Sequence, residues 1–257
     1  AYYTKGKQLP TLIKSNIYTS LISVLFPGMS KINDEGEKVK ALSRKSIRVL
    51  TYIIYPLMTG LLVVAEPLTI FLYTEKWIAM VPFVWVVCIE AIFSVPGTIT
   101  LQSVKAMGYS DKMLKAEIFK KPILILSIII AMQYGVMAIA LTLPLNTLLE
   151  FVINGVMAHK TVDYSIREQL WDCLPATIMS VLMGAGVLLV AHLPLGLGTI
   201  ALLFVEILVG IVIYVLLSVI TRNEEFMALV DDIERDVVAC EAALAAGGSV
   251  PAHPLEA

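Results

Sequence analysis

Long apolar runs set the first limit on this chain, because each is about as long as a bilayer core is thick, about 20 residues per helix. Hydrocarbon offers no partner to a backbone N–H or C=O, so a spanning element must be a helix or part of a closed barrel. The runs are continuous and do not alternate with period two, which excludes an outer-membrane barrel. Across 257 residues, 58% are hydrophobic and 16% charged. A soluble domain carries about a quarter charged residues, so this chain is too apolar to be one.

The pattern predicts an all-α, polytopic transmembrane bundle of about seven spans. They are expected near residues 8–30, 47–73, 79–104, 113–133, 136–158, 174–193 and 197–221. Pro56 and Gly60 fall inside the second span, and Pro96-Gly97 is expected to interrupt the third. Tyr73 to Trp77 reads as a short loop with aromatic side chains suited to the membrane interface. Tyr134-Gly135 and Pro194-Leu195-Gly196 read as tight hairpin turns. The opening Ala1-Tyr2-Tyr3-Thr4 has no Met and no basic n-region, so no signal peptide is read there. The start is expected to be a cut through a longer protein. Residues 223–257 are acidic, then small and Pro/Gly-rich, and are expected to form a flexible tail apart from the spans at 1–222.

Charge placement orients the scheme. Lys and Arg gather on cytoplasmic connections. Of 19 such residues, six lie in 31–48, five in 105–121, two in 160–171 and two beyond 221. These are alternate connections, so the N-terminus is expected outside and the C-terminus in the cytoplasm.

Polar groups inside spans are costly and mark function or interhelical bonding. Lys14 and Asn16 stand in the most polar span. Lys14 either lines a cavity, where it would meet a substrate phosphate, or snorkels to the interface. Glu90 lies mid-span, and Gln102 lies near the inner end of the same segment. Asn146, Glu150 and Asn154 recur every four residues and share a helix face. That stripe either binds sugar hydroxyls and relays a cation, or bonds a neighbouring helix. Glu206 is alone in an apolar helix and is expected to make an interhelical bond. Glu66, His159 and His192 are read as interfacial. The basic connection 105–121 is read as a topology signal. Gly184-Ala185-Gly186 reads as close helix packing.

Soluble-enzyme motifs are missing: there is no GxSxG, no Walker lysine loop and no HExxH. Cys88, Cys173 and Cys240 form no CxxC pair, and the three His belong to no ligand cluster. No metal, no cofactor and no nucleic-acid partner is expected.

Several strings resemble the polysaccharide-biosynthesis branch of the multidrug and oligosaccharidyl-lipid exporter superfamily. They are Ala1-Tyr2-Tyr3 with Lys7-Gln8-Leu9-Pro10, then Ser15-Asn16-Ile17 through Val24-Leu25-Phe26-Pro27. Ala65-Glu66-Pro67-Leu68 with Glu75-Lys76-Trp77 follows, then Lys105-Ala106-Met107-Gly108 with Ser110-Asp111. The resemblance covers about residues 1–222. It implies one lobe of a two-lobed transporter in the bacterial inner membrane, whose N-terminal lobe is not in this chain. Such proteins move undecaprenyl-diphosphate-linked oligosaccharide across the bilayer by alternating access, for O-antigen, capsule or exopolysaccharide synthesis. Partners implied are that substrate, membrane lipids and the other lobe. Substrate-binding candidates in this half are Lys14, Asn16, Gln102, Glu150 and Asn154, and ion-coupling candidates are Glu90 and Glu150. A cation-coupled multidrug exporter and a membrane glycan polymerase or ligase are the alternatives. The polymerase reading is weakened by the short outer connections, and half a cavity is expected to transport nothing alone.

The orientation is open to direct test. With the native cysteines replaced, Lys112→Cys is expected to react with an impermeant thiol reagent only from the cytosolic side. Tyr134→Cys is expected to react only from the outside. The reverse pattern would overturn the topology.

Overall fold

In a computed structural model of the chain, residues 2–32, 35–193, 198–221, 223 and 225–227 are described. Among them the secondary structure is helical throughout, in the order α1 (Tyr2–Lys31), α2 (Gly36–Val63), α3 (Ala65–Tyr73), a 3₁₀ turn (Glu75–Met80), α4 (Val81–Ala106), α5 (Ser110–Met132), α6 (Val136–Val162), α7 (Ile166–Ala191) and α8 (Thr199–Ile220). The chain is therefore an all-α helical bundle, and six of its described helices are long and apolar enough to cross a membrane. The seventh expected span is α5. It falls short because Lys112, Lys115, Glu117, Lys120 and Lys121 crowd its first half.

Two compact units are distinguished, 1–214 and 215–257. In the second, the described residues are the end of α8 and a turn in which Asn223 Oδ1 accepts from the backbone N–H groups of Glu225 and Phe226. Most of the expected tail and the Pro194-Leu195-Gly196 turn lie outside the described residues.

Proline chemistry decides where helices stop, though not where the sequence suggested. The expected span 47–73 is two helices, with a break at Val64. Pro67 is the cause: its ring would clash with the carbonyl four residues back, at Val63, and it has no N–H to offer. Pro56 leaves α2 unbroken. The expected interruption at Pro96-Gly97 is also absent, since α4 continues through it. Hydroxyls support the backbone there. Thr100 Oγ1 donates to the Pro96 and Gly97 carbonyls at 2.8 and 3.1 Å, and Thr98 Oγ1 to the Ser94 carbonyl at 2.8 Å.

The basic connections are mostly helix. Only Met107–Tyr109 separates α4 from α5, turning at Gly108 with φ +79°. Gly135, at φ +96°, turns α5 back onto α6 in a hairpin, as expected from Tyr134-Gly135. Asp163–Ser165 joins α6 to α7. There Ser165 caps α7 while Glu168 bonds back to the Ser165 N–H, a reciprocal capping box.

α4 is the centre of the bundle, packed by α1, α2 and α6, while α7 lies against α2. The core holds Met29, Ile47, Leu50, Ile54, Met58 and Ile99. Large apolar side chains on α5 and α8, such as Ile118, Phe119, Leu208 and Ile211, point outward where a soluble protein would place polar ones. Helix contacts in lipid lean on close approach of small residues. Gly97 lies against the backbone of Phe151, and a Cβ there would stand 3.3 Å from Phe151 Cα. The Gly184/Gly186 pair packs closely too, against Thr59 of α2 and Ile213 of α8. Trp77 stacks edge-on with Tyr2 at 5.5 Å between ring centroids, clustering aromatic side chains at one end of the bundle.

Gly97→Val should separate α4 from α6. An expected loss of about 1–3 kcal/mol, the usual range for an overpacked contact, would lower the unfolding midpoint in detergent.

Candidate transport site

Four of the polar residues singled out in the sequence meet around one space. Lys14 on α1 and Glu90 on α4 form an ion pair, Nζ to Oε1 at 2.7 Å. Their side chains are only 23% and 17% exposed, so Lys14 does not snorkel; it turns inward to a carboxylate. Lys14 Nζ also lies 5.8 Å from the centre of the Tyr18 ring, whose hydroxyl pairs with Ser94 Oγ at 3.0 Å. Thr147 of α6 donates to Glu90 Oε1 at 3.4 Å. Beside this pair is a cavity of about 140 Å³, lined among others by Lys14, Glu90, Glu150 and Asn154. It has room for several waters or a partly hydrated ion, and an oligosaccharide does not fit inside it.

Glu150 stands differently from Glu90. It is exposed, and no hydrogen bond or ion pair to another described residue is found for it. It also lines a smaller space of about 20 Å³ beside Lys120 and Asn146. Asn154 is buried: its Nδ2 donates to the Gly97 carbonyl at 3.1 Å, and its Oδ1 receives Lys120 Nζ at 3.5 Å. Asn146 Nδ2 donates to Ser127 Oγ at 3.1 Å, tying α6 to α5. The four-residue stripe on α6 is thus divided. Asn146 and Asn154 bond neighbouring helices, and Glu150 stands between them with its carboxylate unpaired.

Other expectations fare less well. Asn16 lies on an exposed face of α1, and Gln102 is half-buried on α4; neither lines the cavity. Among the described residues no interhelical bond is found for Glu206, whose buried Oε2 has no hydrogen-bond partner there. Apolar side chains of α7 and α2 surround that helix face and offer it no donor.

Two polar groups escaped the sequence reading. Lys120, counted there as a topology signal, is 5% exposed and ion-paired with Glu117 one turn back. The i, i+3 pairing was visible in the sequence; its inward face was not. The second is a clamp between α2 and α7. Asp172 takes Arg44 on both oxygens at 2.8 and 3.0 Å, Arg48 Nε at 3.1 Å and the Tyr164 hydroxyl at 2.8 Å. Lys40 meets Glu168 at 2.9 Å at the outer edge of that clamp. Burial pushes the Tyr164 phenol well above its ordinary range, so it remains a donor. Arg44 and Arg48 are one helical turn apart, a cue the sequence did offer; their carboxylate partner is more than 120 residues away.

Residues 1–82 match the family model described as polysaccharide biosynthesis protein. Its first third is therefore similar to polysaccharide-biosynthesis membrane proteins. It is 29% identical over 136 residues to the lipopolysaccharide biosynthesis protein WzxC of Escherichia coli K12, a stretch that is 53% of this chain and 27% of that protein. It is 35% identical over 75 residues to a membrane protein in the cps region of Klebsiella pneumoniae, covering 29% of this chain and 16% of that one. Among solved structures it resembles the lipid II flippase MurJ in an inward closed conformation. That match has a TM-score of 0.69 and 18% identity, and covers 86% of this chain and 47% of the flippase. This likeness shows the fold. The chain spans about a quarter or less of the curated relatives it matches and under half of the solved structure.

Asp172 is the only carboxylate found on both guanidiniums among the described residues. Asp172→Ala is expected to destabilise the bundle by about 2 kcal/mol, less than a fully buried pair would lose because both arginines reach water. A detergent unfolding series that shows no shift would refute the clamp.

Proposed function

We propose that this chain is one lobe of a transporter, not an enzyme, that flips undecaprenyl-diphosphate-linked oligosaccharide across the bacterial inner membrane for surface-polysaccharide synthesis. The observation that carries the proposal is the intramembrane cavity in which the Lys14–Glu90 pair sits beside an unpaired Glu150. A charge kept inside hydrocarbon marks a substrate or ion path. The likeness to relatives named for lipopolysaccharide biosynthesis and lipid II flipping supports the substrate class.

The reading works as follows. The lipid tail stays in the bilayer while glycan and diphosphate cross between this lobe and its N-terminal partner. Lys14 exchanges its carboxylate, Glu90, for the substrate diphosphate, so the cation is never left bare. Glu150 bonds sugar hydroxyls at the cavity rim, and Asn154 joins it by giving up Lys120, the longer of its two bonds at 3.5 Å. Glu150, having no partner to give up, is the group that takes a proton or Na⁺ and biases alternating access. Asn16 and Gln102 contribute only on surfaces outside this cavity. The C-terminus lies in the cytoplasm, as the basic connections indicate.

The unpaired Glu150 also suits a second reading, a cation-coupled multidrug exporter. One experiment separates the two. Expressed in a strain lacking its surface-polysaccharide flippase, the full-length parent is expected to restore polymer without changing drug sensitivity. Drug efflux without polymer would favour the second reading. Lys14→Ala is expected to lower polymer about tenfold, equivalent to ~1.4 kcal/mol, while Lys14→Arg retains most of it. Full restoration by Lys14→Ala would remove Lys14 from the site.

A further inference from the structure

Glu206 takes no part in the cavity and has its own geometry to explain. Leu203, Glu206, Gly210 and Ile213 follow one another at three- and four-residue spacing and so share a face of α8. That face packs against the bundle. Leu203 is buried with Val187 of α7 and Val64 at the α2–α3 break. A Cβ on Gly210 would stand 3.3 Å from Val187 Cγ2, and Ile213 Cδ1 fills the space beside Gly186. Glu206 lies in the middle of this seam. It is 3% exposed, and its buried Oε2 has no hydrogen-bond partner among the described residues.

Among the described residues, no charged side chain is found facing it. The stretch of α7 that meets α8, 176–191, contains no titratable side chain. From 52 to 63, α2 offers only the phenols Tyr52 and Tyr55, and Tyr52 is engaged with Tyr214 of α8. On α3, Glu66 is exposed and Tyr73 lies at the far end. An ionised carboxylate with no cation and no donor is strongly disfavoured in such a place, whereas the neutral acid is tolerated.

We propose that Glu206 is a proton-binding site, separate from the cavity, that fastens α8 to α7 and α2 when protonated and frees it when ionised. The sign follows from the packing. The dry seam favours the neutral acid, and the anion is favoured only where the parted seam admits water. The seam is therefore held at low pH and lost as pH rises through the titration of the seated group.

Two measurements test this in the full chain, reconstituted in lipid nanodiscs. The first is labelling by dicyclohexylcarbodiimide, an apolar reagent that adds to the neutral acid, followed by peptide mass spectrometry. Glu206 is expected to be modified at about pH 6, and less at about pH 9, well above where an exposed glutamate has lost its proton. No modification of Glu206 at either pH would overturn the proposal. The second follows the seam itself. Phe71 of α3 and Phe204 of α8 are exposed, with ring centroids 6.1 Å apart, next to Glu206 along α8. A Phe71→Cys/Phe204→Cys pair, in a background without native cysteines, is expected to join through a short bifunctional thiol reagent several-fold less at about pH 9 than at about pH 6. Adding Glu206→Gln, which stays neutral, should remove that pH dependence. The same pH profile with and without Glu206→Gln would sink the latch. The labelling arm needs no substitution, so a variant that fails to fold leaves the proton site open to refutation.

Discussion

Hydrocarbon supplies no hydrogen-bond partner, and the whole structure follows from that. Each backbone N–H within a span must find a carbonyl in its own helix, so the described spans are all helical. Most polar side chains within the spans find a partner on another helix or face a cavity. Lys14 meets Glu90, Asn154 meets Gly97 and Lys120, and Asn146 meets Ser127. These bonds join α1 to α4, α4 to α6 and α5 to α6. One set of interactions therefore holds the bundle together and lines the cavity.

The polar contacts fall in two groups with different roles. Asp172 accepts three donors and leaves no oxygen free for anything else, so it works as a structural tie between α2 and α7. Around the cavity the bonding is incomplete. Glu90 takes both of its donors on one oxygen, Lys14 at 2.7 Å and Thr147 at 3.4 Å, and Glu150 has none among the described residues. A group that is fully bonded resists exchange, while one that is half-bonded can trade a protein partner for a ligand. That difference separates a clamp from a site.

Much of the site could be read from the sequence, because charges in apolar runs are few and each is conspicuous. Lys14, Glu90, Glu150 and Asn154 stood out for that reason. Their pairing was not readable. Lys14 and Glu90 are 76 residues apart, and helix phase alone does not say which face of α1 meets which face of α4. Asn16 and Gln102 met the same criterion of polarity and sit away from the cavity. Lys120 was misjudged because it stands in a run of lysines that otherwise faces outward. The break at Val64 was missed, and the interruption expected at Pro96 is absent, because the sequence shows the breaker but not the hydroxyls and neighbours that accommodate it.

By itself the sequence determined that the chain is an all-helical membrane bundle with a handful of costly charges inside it. Run length, composition and hydrogen-bond saturation are local properties, and they leave no other solution in lipid. Tertiary structure alone decided which charges are neutralised, which are left exposed and where space remains between helices. Those outcomes depend on the rotation of each helix about its axis and on glycines such as Gly97 that let backbones approach. Packing between distant segments sets both, and no local pattern encodes it.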